Sequence, residues 1–253
     1  MNLDDPHQRA VFFALHSGNP REGPGDRAST ARALEAVTPM PETVLDLGCG
    51  PGEQTRFLAQ LLPESRIVAV DLHPPFVADV QAWIEEEGLG ERVVAEVGDM
   101  RTPPAEPGSV DLVWSEAAAY SIGVGDALRA WRPLLRPGGW VAFSELVFTG
   151  EDLSVQARAF WKGEYPAITD LAGVQRWIAD AGYACRERFL LPPAAWWAYY
   201  GPLESRIEVL RARYDGDPVA LALLDEAQRE VDSYRRDQDG VGYAFFVCQA
   251  PGG

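Results

Sequence analysis

Cysteine is scarce in this chain: Cys49, Cys185 and Cys248 are the only three in 253 residues, far apart and in no CxxC pair. An odd, scattered set of thiols excludes a disulfide scaffold and offers no zinc-type donor spacing, so no metal is expected and a reducing, cytoplasmic setting fits. Basic residues are also few, 22 Lys and Arg against 38 Asp and Glu, for a formal charge of -16. Docking on phosphate backbones or anionic membranes relies on Lys and Arg displacing counterions, so neither nucleic acid nor a membrane is an expected partner. No stretch approaches about 18 uninterrupted apolar residues, and the first residues carry Asp4, Asp5, His7 and Arg9 rather than an apolar export core. Repeats and low-complexity tracts are missing as well.

What remains is a chain 47% apolar with eight Trp, ten Phe and eight Tyr, ample for a packed interior and an aromatic pocket besides. Its length suits one α/β domain with elaborations. Short apolar runs that read as strands recur at residues 43–47 (TVLDL), 66–70 (RIVAV), 92–97 (RVVAEV), 110–114 (VDLVW) and 139–145 (GWVAFSE). Helical windows lie between them at 54–62, 75–87 and 125–135, the last before the stop signal RPGG; earlier helices are expected near 8–15 and 30–36. Such alternation predicts parallel βα units. Farther on come helical windows at 155–161 and 171–182, a strand-like 184–190, two helices at 193–214 and 218–236, and a final strand at 242–249 (GYAFFVCQ). With no Gly-rich linker before them, the two late helices predict an inserted cap rather than a second domain. The expected organisation is therefore a single domain over 1–253: an N-terminal lid at 1–40, a core sheet at 41–150, cap elements at about 151–182 and 193–238, and the last strand.

The first strand runs into Asp46, Leu47, Gly48, Cys49, Gly50, Pro51 and Gly52, and a helix starts at once. Glycines at such a turn let the backbone approach a ligand, and the helix start presents free N–H groups to an anionic moiety. The second strand ends in Asp71, placed to accept hydrogen bonds from ribose hydroxyls, and the third is followed by Gly98, Asp99 and Met100. A glycine turn alone could be a flexible connection; with acids at successive strand ends it indicates a nucleotide-like ligand. A nicotinamide or flavin fingerprint would read GxGxxG, whereas here it reads GxGxG, and Asp46 would repel a pyrophosphate but suit a cationic amino group.

These motifs, VLDLGCGPG at 44–52, VAVD ending at Asp71, GDM at 98–100 and LLRPGGWVAFSE at 134–145, resemble the class I S-adenosylmethionine-dependent methyltransferases of the small-molecule type. The resemblance implies a Rossmann-like, seven-stranded, mostly parallel sheet with an antiparallel last strand beside 184–190 and helices on both faces. It implies S-adenosylmethionine as cofactor and S-adenosylhomocysteine as product. Asp46, Gly48 and Gly50 would line the methionine half, Asp71 the ribose, and Asp99 with Met100 the adenine, with Cys49 and Leu72 also in the expected cofactor set. Ser115 joins the expected cofactor set as the residue after strand four, and Arg21 as part of an N-terminal loop that resembles the family's lids. Glu53 and Gln54 are left out, because an acid beside the cofactor carboxylate is unfavourable.

The acceptor is expected beyond the carboxyl ends of the strands, facing 115–120 and 145–148. In-line methyl transfer needs alignment and exclusion of water, and a general base is optional; Glu116 and Glu145 are the leading candidates, His16 and His73 lesser ones. Glu116 reads equally as a loop acid and Glu145 as a structural ion-pair partner. Tyr120, Tyr165, Trp196, Trp197 and Tyr200 are expected to line a ring-walled substrate chamber, or else to glue the cap to the sheet. A chamber of that kind suits an aromatic, apolar or amine-containing small molecule accepting methyl on O, N or C. Two alternatives stay open: a non-catalytic S-adenosylmethionine-binding module, and an NAD-dependent Rossmann enzyme. The quaternary state is expected to be a monomer or homodimer.

Overall fold

A computed structural model describes residues 4–150 and 153–252. Five parallel strands, β1 (Thr43–Leu47), β2 (Arg66–Asp71), β3 (Val93–Val97), β4 (Val110–Glu116) and β5 (Leu135–Phe148), build one half of the sheet. A two-residue β6 (Thr169–Asp170) pairs alongside β5; β7 (Ala184–Leu190) and β8 (Val241–Gln249) complete eight strands in the order β3-β2-β1-β4-β5-β8-β7. The last strand in sequence inserts between β5 and β7 and runs antiparallel to both, as expected. The eighth strand is the addition: two residues carry no readable period.

Burial explains the strand types. β1 and β4 are buried on both faces, hence their mainly apolar sequences, while edge strand β7 alternates in exposure and carries Arg186, Glu187 and Arg188. On one face pack α2 (Arg27–Glu35), α3 (Glu53–Leu61) and α4 (Pro74–Glu86), through side chains such as Ala33, Leu58 and Val80. On the other lie α5 (Val124–Trp131) and α7 (Leu171–Asp180), through Leu128, Trp131, Val174 and Ile178. The stretch 171–182 is therefore a crossover helix on the sheet rather than part of the cap, because its apolar stripe matches the second core. Residues 151 and 152, which open the expected cap segment, and the first three residues of the expected lid lie outside the described residues.

The helical cap consists of α6 (Val155–Glu164), α8 (Pro193–Arg213) and α9 (Pro218–Asp237), and the N-terminal α1 (Pro6–His16) joins it. Val11 packs with Ala220 and Leu223, Arg206 donates to the Ala14 carbonyl at 2.7 Å, and His7 meets Asp217 at 2.8 Å. Trp196 stacks on Tyr234, ring centroids 3.9 Å apart, and binds α8 to α9. These contacts set α1 and the following loop over the carboxyl ends of β1, β2 and β4. Among the described residues no helix is long and apolar enough to cross a membrane.

Candidate cofactor and acceptor site

A cavity of about 370 Å³ opens where the carboxyl ends of the parallel strands meet α1 and the loop after it. Its floor is the glycine turn. Gly48 and Cys49 donate to the Val70 carbonyl at 2.8 and 3.1 Å, which locks the turn onto β2. Gly48 has φ 77°, and a Cβ there would lie 2.3 Å from the Ala118 Cβ, so only glycine lets the β4 loop approach. Gly50, φ 51°, faces the cavity with nothing nearer than Glu22. Asp71 fixes both sides of the site: its two oxygens accept from the Gly50 and His73 N–H groups, each at 2.9 Å.

Most of the expected cofactor residues converge here. Arg21, Gly48, Cys49, Gly50, Asp71, Leu72, Asp99 and Met100 all line the cavity. Asp99 accepts from the Arg101 backbone at 2.8 Å and its guanidinium at 3.0 Å, which hold its carboxyl below the usual range. Gln54, set aside on sequence, also lines the cavity and braces the turn through the Cys49 carbonyl at 2.8 Å. Two residues sit elsewhere. Ser115 is fully buried and donates to the Leu47 carbonyl at 2.8 Å, stitching β4 to β1. Asp46 lies behind the turn; one oxygen accepts from Thr55 at 2.5 Å, the other has no partner, and burial foremost, then the nearby Glu116 and Asp71 charges, push its carboxyl up to about 7.

The acids expected as bases differ in kind. Glu116 lines the cavity and both its oxygens are engaged, by Arg21 at 2.8 Å, Thr30 at 2.8 Å and Trp114 at 3.0 Å. Arg21, itself 2% exposed, adds Glu53 at 3.2 Å and the Gly23 carbonyl. This pair is a clamp that pins the N-terminal loop to β4. Glu145 is the reverse: 1% exposed, off the cavity wall, with neither carboxylate oxygen hydrogen-bonded. Burial raises it to about 8, and the Tyr165 hydroxyl, also unpartnered, is near enough to bias its ionisation without completing a hydrogen bond.

The ring wall is only partly the expected one. Tyr120 lines the cavity with its ring 5.6 Å from that of Tyr165, which stands just behind. Trp196, Trp197 and Tyr200 do not face it: Trp196 is in the cap core, Trp197 stacks under Arg235 at 5.0 Å, and the Tyr200 hydroxyl donates to Glu230 at 2.8 Å. The α8 residue that reaches the cavity is Tyr199. On a helix each step turns about 100°, so WWAYY sends its rings in several directions, and sequence shows no register for choosing among them. Phe12, His16, His73 and Phe76 complete the rim, Phe12 over His16 at 4.2 Å, and His16 is paired with Glu22.

Residues 44–139 match the family described as Methyltransferase domain. A trans-aconitate 2-methyltransferase of Streptomyces avermitilis is 39% identical over 105 residues, 41% of this chain and 38% of that protein. One of Mycobacterium ulcerans is 36% identical over 133 residues, 52% and 44% of the two chains. The chain thus spans less than half the length of these curated relatives. A S-adenosylhomocysteine complex of a SAM-dependent methyltransferase from Geobacter sulfurreducens superposes with a TM-score of 0.79 at 19% identity, covering 94% of this chain and 97% of that one.

Residues 44–139 thus match a methyltransferase domain, and the whole chain has the fold of S-adenosylmethionine-dependent methyltransferases.

Within this methyltransferase fold, the matched segment holds the glycine turn, Asp71, Asp99, Met100, Glu116 and Tyr120, and it ends before Glu145, Tyr165 and Tyr199. Sequence similarity to the family model thus covers the cofactor side of the methyltransferase site and stops short of most of the ring wall.

Proposed function

We propose that the protein transfers the methyl group of S-adenosylmethionine to O, N or C of a small aromatic, apolar or amine-containing molecule. The observation that carries this reading is one cavity with a glycine turn on one side and tyrosines on the other, of a volume normal for small-molecule sites. The residues suit the cofactor. Gly50 leaves open space where a side chain would intrude, Asp71 stands at the ribose position, and Leu72, 61% exposed, and Met100 offer apolar surface for a purine. Asp46, buried beneath the turn with one oxygen unpartnered, places an acid near the proposed methionine end without lining the cavity.

When bound, S-adenosylmethionine supplies an electrophilic methyl carbon on a sulfonium. The acceptor's electron pair forms the new bond as the carbon–sulfur bond breaks, the sulfur keeps its pair, and the acceptor sheds a proton. The chain contributes alignment and dryness. Tyr120 and Tyr199 confine the acceptor, and the loop held by Arg21 and Glu116 covers the site as a lid. Calorimetric titration with S-adenosylmethionine, S-adenosylhomocysteine and NAD tests the reading: the first two should bind and NAD should not. Binding of NAD alone would sink it.

A further inference from the structure

Buried acceptors stand idle beside the cavity, while the arginines on its wall are paired. Among the described residues on the cavity wall, Arg21 is held by Glu116 and Glu53, Arg101 by Asp99, and His16 by Glu22. His73 is the remaining basic side chain, packed edge-on against Phe13 and Phe76. By contrast both oxygens of Glu145, one of Glu22 and the Tyr165 hydroxyl are buried without a hydrogen-bond partner. Buried acceptors are costly to leave unmet, and so many in one neighbourhood call for a donor.

These groups form one neighbourhood. Ser144 is the register partner of Glu116, so Glu145 follows one residue farther along β5, at the strand ends where ligands bind. Tyr120 connects it to the cavity, its ring against Tyr165 and its phenol raised by burial and then by the charges of Glu230, Glu145 and Glu22. Tyr199 on the same wall feels Glu230 and Glu22. A carboxylate entering this space would be opposed by these acids, whereas an ammonium would find acceptors and electron-rich ring faces.

Resting on the methyltransferase reading, we propose that the acceptor carries an amino group that docks against Glu145 and Tyr165 past Tyr120, and that Glu145 sets the enzyme's choice of amines over carboxylic acids. Glu145 acts here as a specificity residue: an ammonium brings up to three donors to its carboxyl and the Tyr165 hydroxyl, and its charge favours the ionised carboxylate that burial alone disfavours. The trans-aconitate named for the relatives has the opposite charge.

The test is calorimetry on the S-adenosylhomocysteine complex of the full chain with matched probes: phenethylamine and tyramine, 2-phenylethanol, 3-phenylpropionate and trans-aconitate. The amines should bind about tenfold or more tighter than the alcohol and both acids, and Glu145→Gln should remove that preference while S-adenosylhomocysteine affinity holds. Tyr165→Phe should reduce it less and serves as a second variant should Glu145→Gln fold poorly. Acids binding as well as amines, no probe binding, or an unchanged preference in both variants would overturn the inference. Failure of S-adenosylhomocysteine to bind would instead remove the reading beneath it.

Discussion

Glu116→Ala isolates the clamp between the N-terminal loop and the sheet. The substitution deletes the partner of a guanidinium that is 2% exposed and also strips acceptors from Thr30 and Trp114. Removing one member of a buried pair costs about 3–5 kcal/mol, because the surviving charge stays buried without compensation. Arg21 keeps the Gly23 carbonyl and Glu53, so the lower end, about 3 kcal/mol, is expected. For a chain of this size that corresponds to a fall of roughly 6–12 °C in melting temperature. Urea denaturation supplies the free energy, and the double variant Arg21→Met, Glu116→Leu supplies the control. With both charges gone, the double variant should be more stable than Glu116→Ala alone. A loss below about 1 kcal/mol in Glu116→Ala, or strictly additive losses in the double variant, would refute the clamp.

Asp71→Ala should weaken S-adenosylmethionine binding by about 1–3 kcal/mol in calorimetry, since it removes a charged acceptor and frees the Gly50 and His73 N–H groups it now holds. Trp196→Ala should cost about 3–5 kcal/mol in stability by emptying the stack on Tyr234, yet leave the acceptor KM of the surviving folded fraction unchanged, because its ring does not face the cavity. Stability should fall as pH rises: burial lifts Asp46 from 3.8 to about 7 and Glu145 from 4.5 to about 8, so the folded chain binds more protons than the unfolded one between about pH 4 and 8. That stabilisation is complete below the unfolded values and lost as pH passes through the folded ones; urea midpoints at pH 5.5 and 8.5 should therefore differ, and Glu145→Gln should narrow the gap.

The parts of the fold that sequence makes legible are those with a local period. β1 and β7 fall on the expected residues, the first a buried apolar run and the second an alternating edge. β5 is longer than its 139–145 run, reaching Leu135 to Phe148. Arg136, Pro137, Gly138 and Gly139 read locally as a stop and form an irregularity in the pairing with β4 between Leu135 and Trp140, where Gly138 donates to the Pro251 carbonyl at 3.0 Å and Gly139 accepts from the Ala250 N–H at 2.8 Å. The crossover role of α7 was likewise invisible, since an amphipathic helix does not name the face it covers.

The site divides along the same line, and for a physical reason. The proposed cofactor contacts depend on backbone geometry at strand ends, and glycine spacing with terminal acids writes that geometry into a few adjacent letters, which is why the cavity gathers Gly48, Gly50, Asp71 and Asp99 together. The proposed acceptor contacts are side chains on distant elements, Tyr120 after β4, Glu145 on β5, Tyr165 after α6 and Tyr199 on α8, and their meeting depends on helix register and cap docking. Similarity to the methyltransferase family model ends at residue 139, before three of these four. The proposed acceptor charge therefore rests on residues that lie mostly outside the segment matched by the family model.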